Sequence, residues 1–252
     1  MRASKLSLSA APLCLLAATC PAAPAQPEQV LHEQSFDKGI AGWEAFLGYW
    51  RLNDQQWHWS AEGGNPGGCL AHNARLGVKK PERGAHDALI IYGAHPGWTD
   101  YSFEADAQRK GGHVGLWFRA KMKPSGSKDG QWVSGYLFMV DPGHKTARLW
   151  RHRQDGFDKS GRWVPGHFSN PVEVKTAKTG EIPKDKWVKL KVTAVGPHLE
   201  CFIDGQRVIQ AEDATYSNGS VGFATYKADA RFDNVRVVAV PPARPEAQAP
   251  AQ

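Results

Sequence analysis

Cysteine is scarce. The 252-residue chain has four, and two of them, Cys14 and Cys20, fall in the first 25 residues. The other two, Cys69 and Cys201, form no Cys-x-x-Cys. No cluster of cysteine and histidine has metal-ligand spacing, which excludes the metal and redox motifs built on such spacing. Long apolar runs are also missing. The longest, "LSLSAAPLCLLAA" (6–18), is too short to span a bilayer. No stretch carries a helical repeat of a dozen residues, and no nucleic-acid motif is present.

The start of the chain reads as an export signal. Arg2 and Lys5 precede the short apolar core, and "APA" (23–25) offers a small-residue cleavage site. Lipoprotein processing at Cys20 is the alternative, but Thr19 is a poor residue before a modified cysteine. The expectation is a signal peptide over 1–25, one domain over 26–240 and a disordered Pro/Ala-rich tail over 241–252. The product is exported, periplasmic or secreted, with no membrane span. An oxidising compartment leaves a Cys69–Cys201 disulfide open beside two separate buried thiols. The net charge of +6 falls to +4 without Arg2 and Lys5. That mild excess, with the local cluster "RLWRHR" (148–153), suits a solvated strand face better than a nucleic-acid surface.

What the chain does have is strand signal. Short runs rich in β-branched and aromatic residues alternate with Gly, Pro, Asn and Asp breaks from about residue 30 to 239. "FIDGQRVIQ" (202–210) predicts a tight hairpin at Asp204-Gly205. Residues 121–132 read as a polar loop and 154–185 as a long connection. The economical architecture is all-β, a two-sheet antiparallel jelly-roll sandwich.

Alternation assigns faces. In "YSFEADAQ" (101–108), Tyr101, Phe103, Ala105 and Ala107 oppose Glu104, Asp106 and Gln108. In "HVGLWFRA" (113–120), Val114, Leu116 and Phe118 oppose His113, Gly115, Trp117 and Arg119. Joined by Lys110-Gly111-Gly112, the two strands are expected to pair as a hairpin. Their polar sets would then share one face, with Glu104, Asp106, His113, Trp117 and Arg119 as candidate substrate-binding residues. Glu104, Asp106 and His113 are also the candidates for catalysis. Trp150 and the alternating Trp57 and Trp59 are further aromatic candidates for stacking on a sugar ring; burial in the core is the competing reading. For Arg119 the competing reading is an ion pair with Glu104 or Asp106.

The order of these segments resembles the concanavalin A-like lectin/glucanase superfamily. "SFDKGIAGWEAFLGYWRLNDQQWHWSAEG" (35–63) looks like its opening, "TDYSFEADAQRKGGHVGLWFRA" like its central hairpin, and "GSVGFATYKADARFDNVRV" like its closing strands. The nearest likenesses are laminin-G-like sugar-binding modules and the 3-keto-disaccharide hydrolase family. Against the latter, the chain keeps Gly115 and Arg119 but not an Asn-Ser pair. It keeps Tyr136 and Asp141 but has Leu137 and Met139 where Glu and Gln stand. Against laminarinase-like hydrolases, Gln108 and Arg109 stand where the second catalytic acid belongs, so two-carboxylate chemistry is incomplete. The resemblance implies a carbohydrate ligand. Glycan binding leads, a 3-keto-glycoside-cleaving enzyme is the alternative, and a structural or protein-interaction laminin-G-like domain is third. It also implies a structural calcium at Asp37 and Asp233.

Overall fold

Tyr101–Arg109 and His113–Met122 show why the chain folds as it does. Every second residue from Tyr101 to Ala107 and from Val114 to Met122 is apolar, and Tyr101, Phe103, Ala105, Val114, Leu116 and Phe118 are all buried. A strand with one apolar side needs a second sheet to cover it. The computed structural model describes residues 28–45, 56–76, 87–93, 97–122, 133–153 and 169–241. Within them, fifteen strands form two antiparallel sheets.

The first sheet runs β13 (Gln206–Glu212), β12 (His198–Ile203), β11 (Trp187–Val195), β6 (Tyr101–Arg109), β15 (Ala230–Ala239), β4 (Cys69–His72), β3 (Trp57–Ser60), and β1 (Val30–Gln34) also pairs with β15. The second runs β10 (Ser169–Lys178), β9 (Thr146–Arg153), β8 (Val133–Asp141), β7 (His113–Met122), β14 (Ser220–Tyr226), β5 (Asp87–Tyr92), β2 (Trp43–Ala45). The inner faces meet in one core. Phe223 of the second sheet stacks on Phe232 of the first with ring centroids 4.2 Å apart, and Trp43 stacks on Phe223 at 4.9 Å. Each such side chain contributes about 1.5–3 kcal/mol by leaving water. The jelly-roll sandwich is the fold.

Three expectations change. β6 and β7 do not pair. β6 lies between β11 and β15, and β7 between β8 and β14. Lys110–Gly112 therefore crosses from one sheet to the other. The crossing sets the two apolar rows face to face across the core, and it sends the two polar rows to opposite outer surfaces. The long connection contains a strand, β10, at the edge of the second sheet. Pro171, Lys175, Lys178 and the exposed Val172 mark it as an edge strand without a buried stripe. The short β2 has no counterpart in the strand signal of the sequence. The expected strand at 48–52 and most of the polar loop at 121–132 lie outside the described residues.

The Asp204-Gly205 turn is as expected, with φ of +48° and +78°. Cys69 and Cys201 are buried free thiols. They sit on β4 and β12 with three strands between them, so four spacings of about 4.8 Å separate them, far beyond disulfide reach.

Candidate functional site

Glu104 and Asp106 point out from the first sheet, and they differ sharply. Asp106 is buried and saturated. Its Oδ1 faces Lys189 Nζ at 2.9 Å, and its Oδ2 accepts from Asn65 Nδ2 at 3.0 Å and Asn234 Nδ2 at 2.9 Å. Burial pushes its carboxyl up, but Lys189 and the two amides outweigh that and hold it below its usual value. It is a strut for the 64–68 loop. Glu104 is half-buried, holds only a loose 3.9 Å pair with Lys191, and lines a shallow 390 Å³ depression with Ser35, Lys189 and Arg236.

Asp37 and Asp233 flank the same loop. Asp233 is fully buried and accepts from the N–H groups of Asn65 at 2.6 Å and Asn234 at 2.7 Å. Burial raises its pKa, and the charges of Asp37 and Asp106 add to the rise. Asp37 accepts from Ser35 Oγ at 2.8 Å and Gly68 N–H at 3.1 Å, which hold it below its usual value. Gly67 has φ of +87°, and a Cβ there would collide with Asp37 Oδ1, so the loop requires glycine.

Arg119 leaves the predicted face altogether. A bulge interrupts the β7–β8 register between Phe118 and Lys121, and Arg119 takes φ of +46° within it. The guanidinium is 1% exposed. It donates to Thr99 O at 3.1 and 3.2 Å, Gly196 O at 2.7 Å, Tyr216 O at 2.9 Å and Asp100 Oδ1 at 3.4 Å. It ties three loops together at one end of the sandwich and has no donor left for a ligand.

His113, Trp117 and Trp150 lie on the outer face of the second sheet, across the molecule from Glu104 and Asp106. Register sets this face in rows. One row carries Ile91, Gly222, Trp117, Leu137 and Trp150; the next carries Leu89, Ala224, Gly115, Met139 and Arg148. Leu89, Ile91, Trp117, Leu137 and Met139 form a second apolar cluster, each under 5% exposed. Trp117 packs on His152 at 5.1 Å, so it serves as a floor rather than an open platform. Trp150 is half-buried, with Arg148 stacked 5.8 Å from its ring. Trp57 is core, and Trp59 is exposed with its Nε1 donating to Phe36 O at 2.6 Å.

The polar end of this face is its most chemically equipped part. Asp141, 3% exposed, closes β8 beside His113. His113 Nε2 lies 3.2 Å from Asp141 Oδ1, His144 Nδ1 lies 2.7 Å from Oδ2, and Arg148 Nη2 is 3.8 Å from Oδ2. The His144 backbone N–H donates to Oδ1 at 3.2 Å. Burial pushes the Asp141 carboxyl up, but the His144 hydrogen bonds and the nearby His113 outweigh it and hold it below its usual value. Burial draws His113 below its ordinary value against the pull of Asp141, so the ring is neutral at pH 7 and Nε2–H donates. Tyr226 packs 5.0 Å from the His113 ring, with Lys227 Nζ 5.0 Å from the tyrosine ring.

Sequence reasoning places His113 here and misses His144, Arg148 and Tyr226. One signal is available: "DPGH" (141–144) is a turn whose aspartate can receive the histidine three residues on. The alignment of that turn with His113 depends on pairing that the sequence leaves open.

A family model described as a 3-keto-alpha-glucoside-1,2-lyase-like domain matches residues 32–238. The chain belongs to this family. A curated relative, the levanase of Bacillus subtilis (strain 168), is 28% identical over 160 residues, covering 62% of this chain and 20% of the levanase. The chain thus spans about a fifth of that relative's length. Among solved structures, the laminarinase catalytic domain of Thermotoga maritima MSB8 aligns with TM-score 0.54 at 14% identity, over 86% of this chain and 100% of that one. A Bacillus subtilis protein of unknown function with a galectin-like fold aligns with TM-score 0.53 at 11% identity, over 84% of this chain and 96% of that one. At these identities the structural likenesses show the fold. Within the 3-keto-alpha-glucoside-1,2-lyase-like frame, this chain has apolar Leu137 and Met139 at buried positions of the second sheet's outer face, so the polar groups of that face gather at the Asp141 end.

Proposed function

We propose that the chain is an exported carbohydrate-binding protein that holds its ligand at the Asp141 end of the second sheet's outer face. The observation that carries this is the Asp141 carboxylate, ionised although nearly buried, fixed by two imidazoles and Arg148 beside the Tyr226 ring. That carboxylate is filled by these partners and holds them in place, so their outer atoms meet the ligand: the second imidazole nitrogens accept from sugar hydroxyls, Arg148 donates, and aromatic rings take the apolar face of a pyranose. Family membership and the levanase likeness support a carbohydrate ligand. The signal-like residues 1–25 support export. In a glycan array followed by calorimetry, Asp141→Asn is expected to weaken binding about tenfold, because an amide cannot hold both imidazoles and Arg148 in place. Unchanged affinity in that variant would remove this site from the proposal.

The second reading is cleavage of a 3-keto glycoside, favoured by the family and by the neutral His113 backed by Asp141. A base would take the proton from the carbon next to the ketone. The freed electrons form the C1–C2 double bond and expel the glycosidic oxygen, which takes up a proton. Asp141 would stabilise the imidazolium so formed. Release of free sugar from a 3-keto glucoside, abolished by His113→Gln, is the expected result under this reading. Binding without any product would leave the binding reading alone.

Calcium fits the Asp37–Asp233 site as a structural ion. Asp233 is a buried carboxylate served only by backbone N–H groups, and its neighbours Asp37 and Asp106 carry the same charge. Among the described residues no group of three or more His, Cys, Asp or Glu is placed to hold a metal, so carbonyls and water would complete the shell. Bound there, calcium would neutralise the paired carboxylates and tie Asp37 and the 64–68 loop to the last strand. A chelator is expected to lower the melting temperature by about 3 °C, a change of roughly 1 kcal/mol, restored by Ca²⁺ and absent in Asp233→Asn. No change on chelation would discard the ion.

A further inference from the structure

At the same end of the sandwich, but on the first sheet's side, lies a pocket that the proposed sugar site does not use. It has a volume of about 140 Å³, where a single water needs roughly 10–15 Å³. His58, Asn73, Gln108, Lys110, Asp229 and Arg231 supply its polar wall. Two turns build it. Lys110 N–H donates to Asp229 O at 2.9 Å, and Gly112, at φ of +53°, lies so close to Tyr226 and Lys227 that a Cβ would collide with their carbonyls. The crossover after β6 and the β14–β15 turn are thus locked together. The Lys110 and Asp229 positions are fixed by backbone, not by chance side-chain packing.

The wall's hydrogen-bonding groups can be sorted. Asp229 Oδ1 accepts from Ala74 N–H at 3.0 Å, which leaves Oδ2 free to accept. Gln108 Nε2 donates to Asp185 O at 3.2 Å, leaving Oε1. Asn73 Oδ1 accepts from Arg75 N–H at 3.0 Å, leaving Nδ2 to donate. Among the described residues, Lys110 and Arg231 have no carboxylate within ion-pair distance, and the Arg231 guanidinium makes only a 3.5 Å contact to Gly63 O. The wall thus carries two cations without a carboxylate partner and one carboxylate, with the Arg231 guanidinium resting against Gly63. A simple anion would satisfy the cations but meet Asp229 and Gln108 Oε1 with nothing to donate. A neutral sugar would satisfy the acceptors and leave the cations in excess.

We propose that this pocket is a second ligand site, for a sugar acid: a hydroxyl-bearing ring whose carboxylate takes Lys110 and Arg231 and whose hydroxyls take Asp229, Gln108 and Asn73. Arginine's planar fork suits a carboxylate. The site stands independently of the Asp141 site, because it shares no side chain with it.

The test is an NMR titration of the full mature chain with D-glucuronate, with D-glucose and acetate as matched probes. Glucuronate is expected to shift the amides of Asn73, Lys110 and Asp229–Arg231. Glucose and acetate are each expected to bind at least about tenfold more weakly, since each lacks one half of the recognised groups. Lys110→Ala/Arg231→Ala is expected to weaken glucuronate at least tenfold at unchanged melting temperature, and added salt to weaken it further. Lys110→Glu, a change at an exposed position, is the second variant and has the same expected direction. Equal binding of acetate would overturn the sugar half of the assignment, and equal binding of glucose the acid half. Shifts confined to Asp141 and His113, no shift at about 50 mM, or glucuronate affinity unchanged in both variants would overturn the site itself.

Discussion

Arg119→Ala is expected to lower the unfolding free energy by about 4 kcal/mol, at the upper end of what one side chain contributes. The guanidinium donates to three loop carbonyls and to Asp100, all at one end of the sandwich. Removing it orphans Thr99 O, Gly196 O and Tyr216 O in a space that alanine leaves empty, at roughly 1–3 kcal/mol for each buried group left unsatisfied. Arg119→Lys keeps the charge, but one ammonium cannot reach carbonyls arranged for a planar fork, so it is expected to recover less than half of the loss. The bulge adds its own constraint. Gly219, opposite it, has φ of +154°, and a Cβ there would collide with the Arg119 carbonyl. Urea denaturation of the two variants measures this directly. Arg236→Ala is the control: its pairs with Glu28 and Glu33 lie on the surface, so the midpoint should barely move. A loss for Arg119→Ala no larger than that of the control would show that the loops hold without it.

The same residue shows where the sequence stops being informative. Alternation in "HVGLWFRA" fixes the faces of Val114 to Phe118, and the structure agrees through Phe118. A single bulged residue then breaks the period, and no composition signal announces it. Period two also says which side chains share a face of one strand, never which sheet that strand joins. Glu104 and Asp106 thus read correctly as outward, and His113 and Trp117 likewise, yet the two pairs lie on opposite surfaces. The sandwich itself is legible because its requirement, an apolar stripe on each strand, is written in every core strand. β10 is not, because an edge strand buries no stripe. Asp141 enters the sequence reading only through the family resemblance. Its histidine partners come from a turn and from a neighbouring strand, a meeting that only the fold brings about.

The second large effect is expected on acidification. His72 and His152 are buried, and desolvation pulls both rings down to about 4. His72 Nδ1 donates to Ala228 O at 2.9 Å, which fixes its neutral tautomer, and His152 is packed between Trp117 and Trp150. In the unfolded chain each ring takes a proton near 6.5. Between these values the unfolded state binds more protons than the folded one, so stability rises with pH. It is fully present above about pH 6.5 and is lost progressively as the pH falls toward 4. A tenfold change in proton affinity is worth about 1.4 kcal/mol, so each ring contributes up to about 3 kcal/mol across the window. His113, drawn down by burial as well, acts in the same direction. The lowered carboxyls of Asp37, Asp106, Asp141 and Asp213 lose their contribution only below their ordinary value of 3.8, outside the window. Asp233 runs oppositely, since its raised pKa favours the folded state at low pH. Denaturation at about pH 7, 5.5 and 4.5 is expected to show a loss of several kcal/mol, with the steepest part below pH 6. His72→Asn keeps a donor at the Nδ1 position, and His152→Phe keeps the ring. Each should lower stability at pH 7 yet flatten the slope, and the pair should nearly abolish it. A slope unchanged in the double variant would place the acid sensitivity elsewhere in the chain.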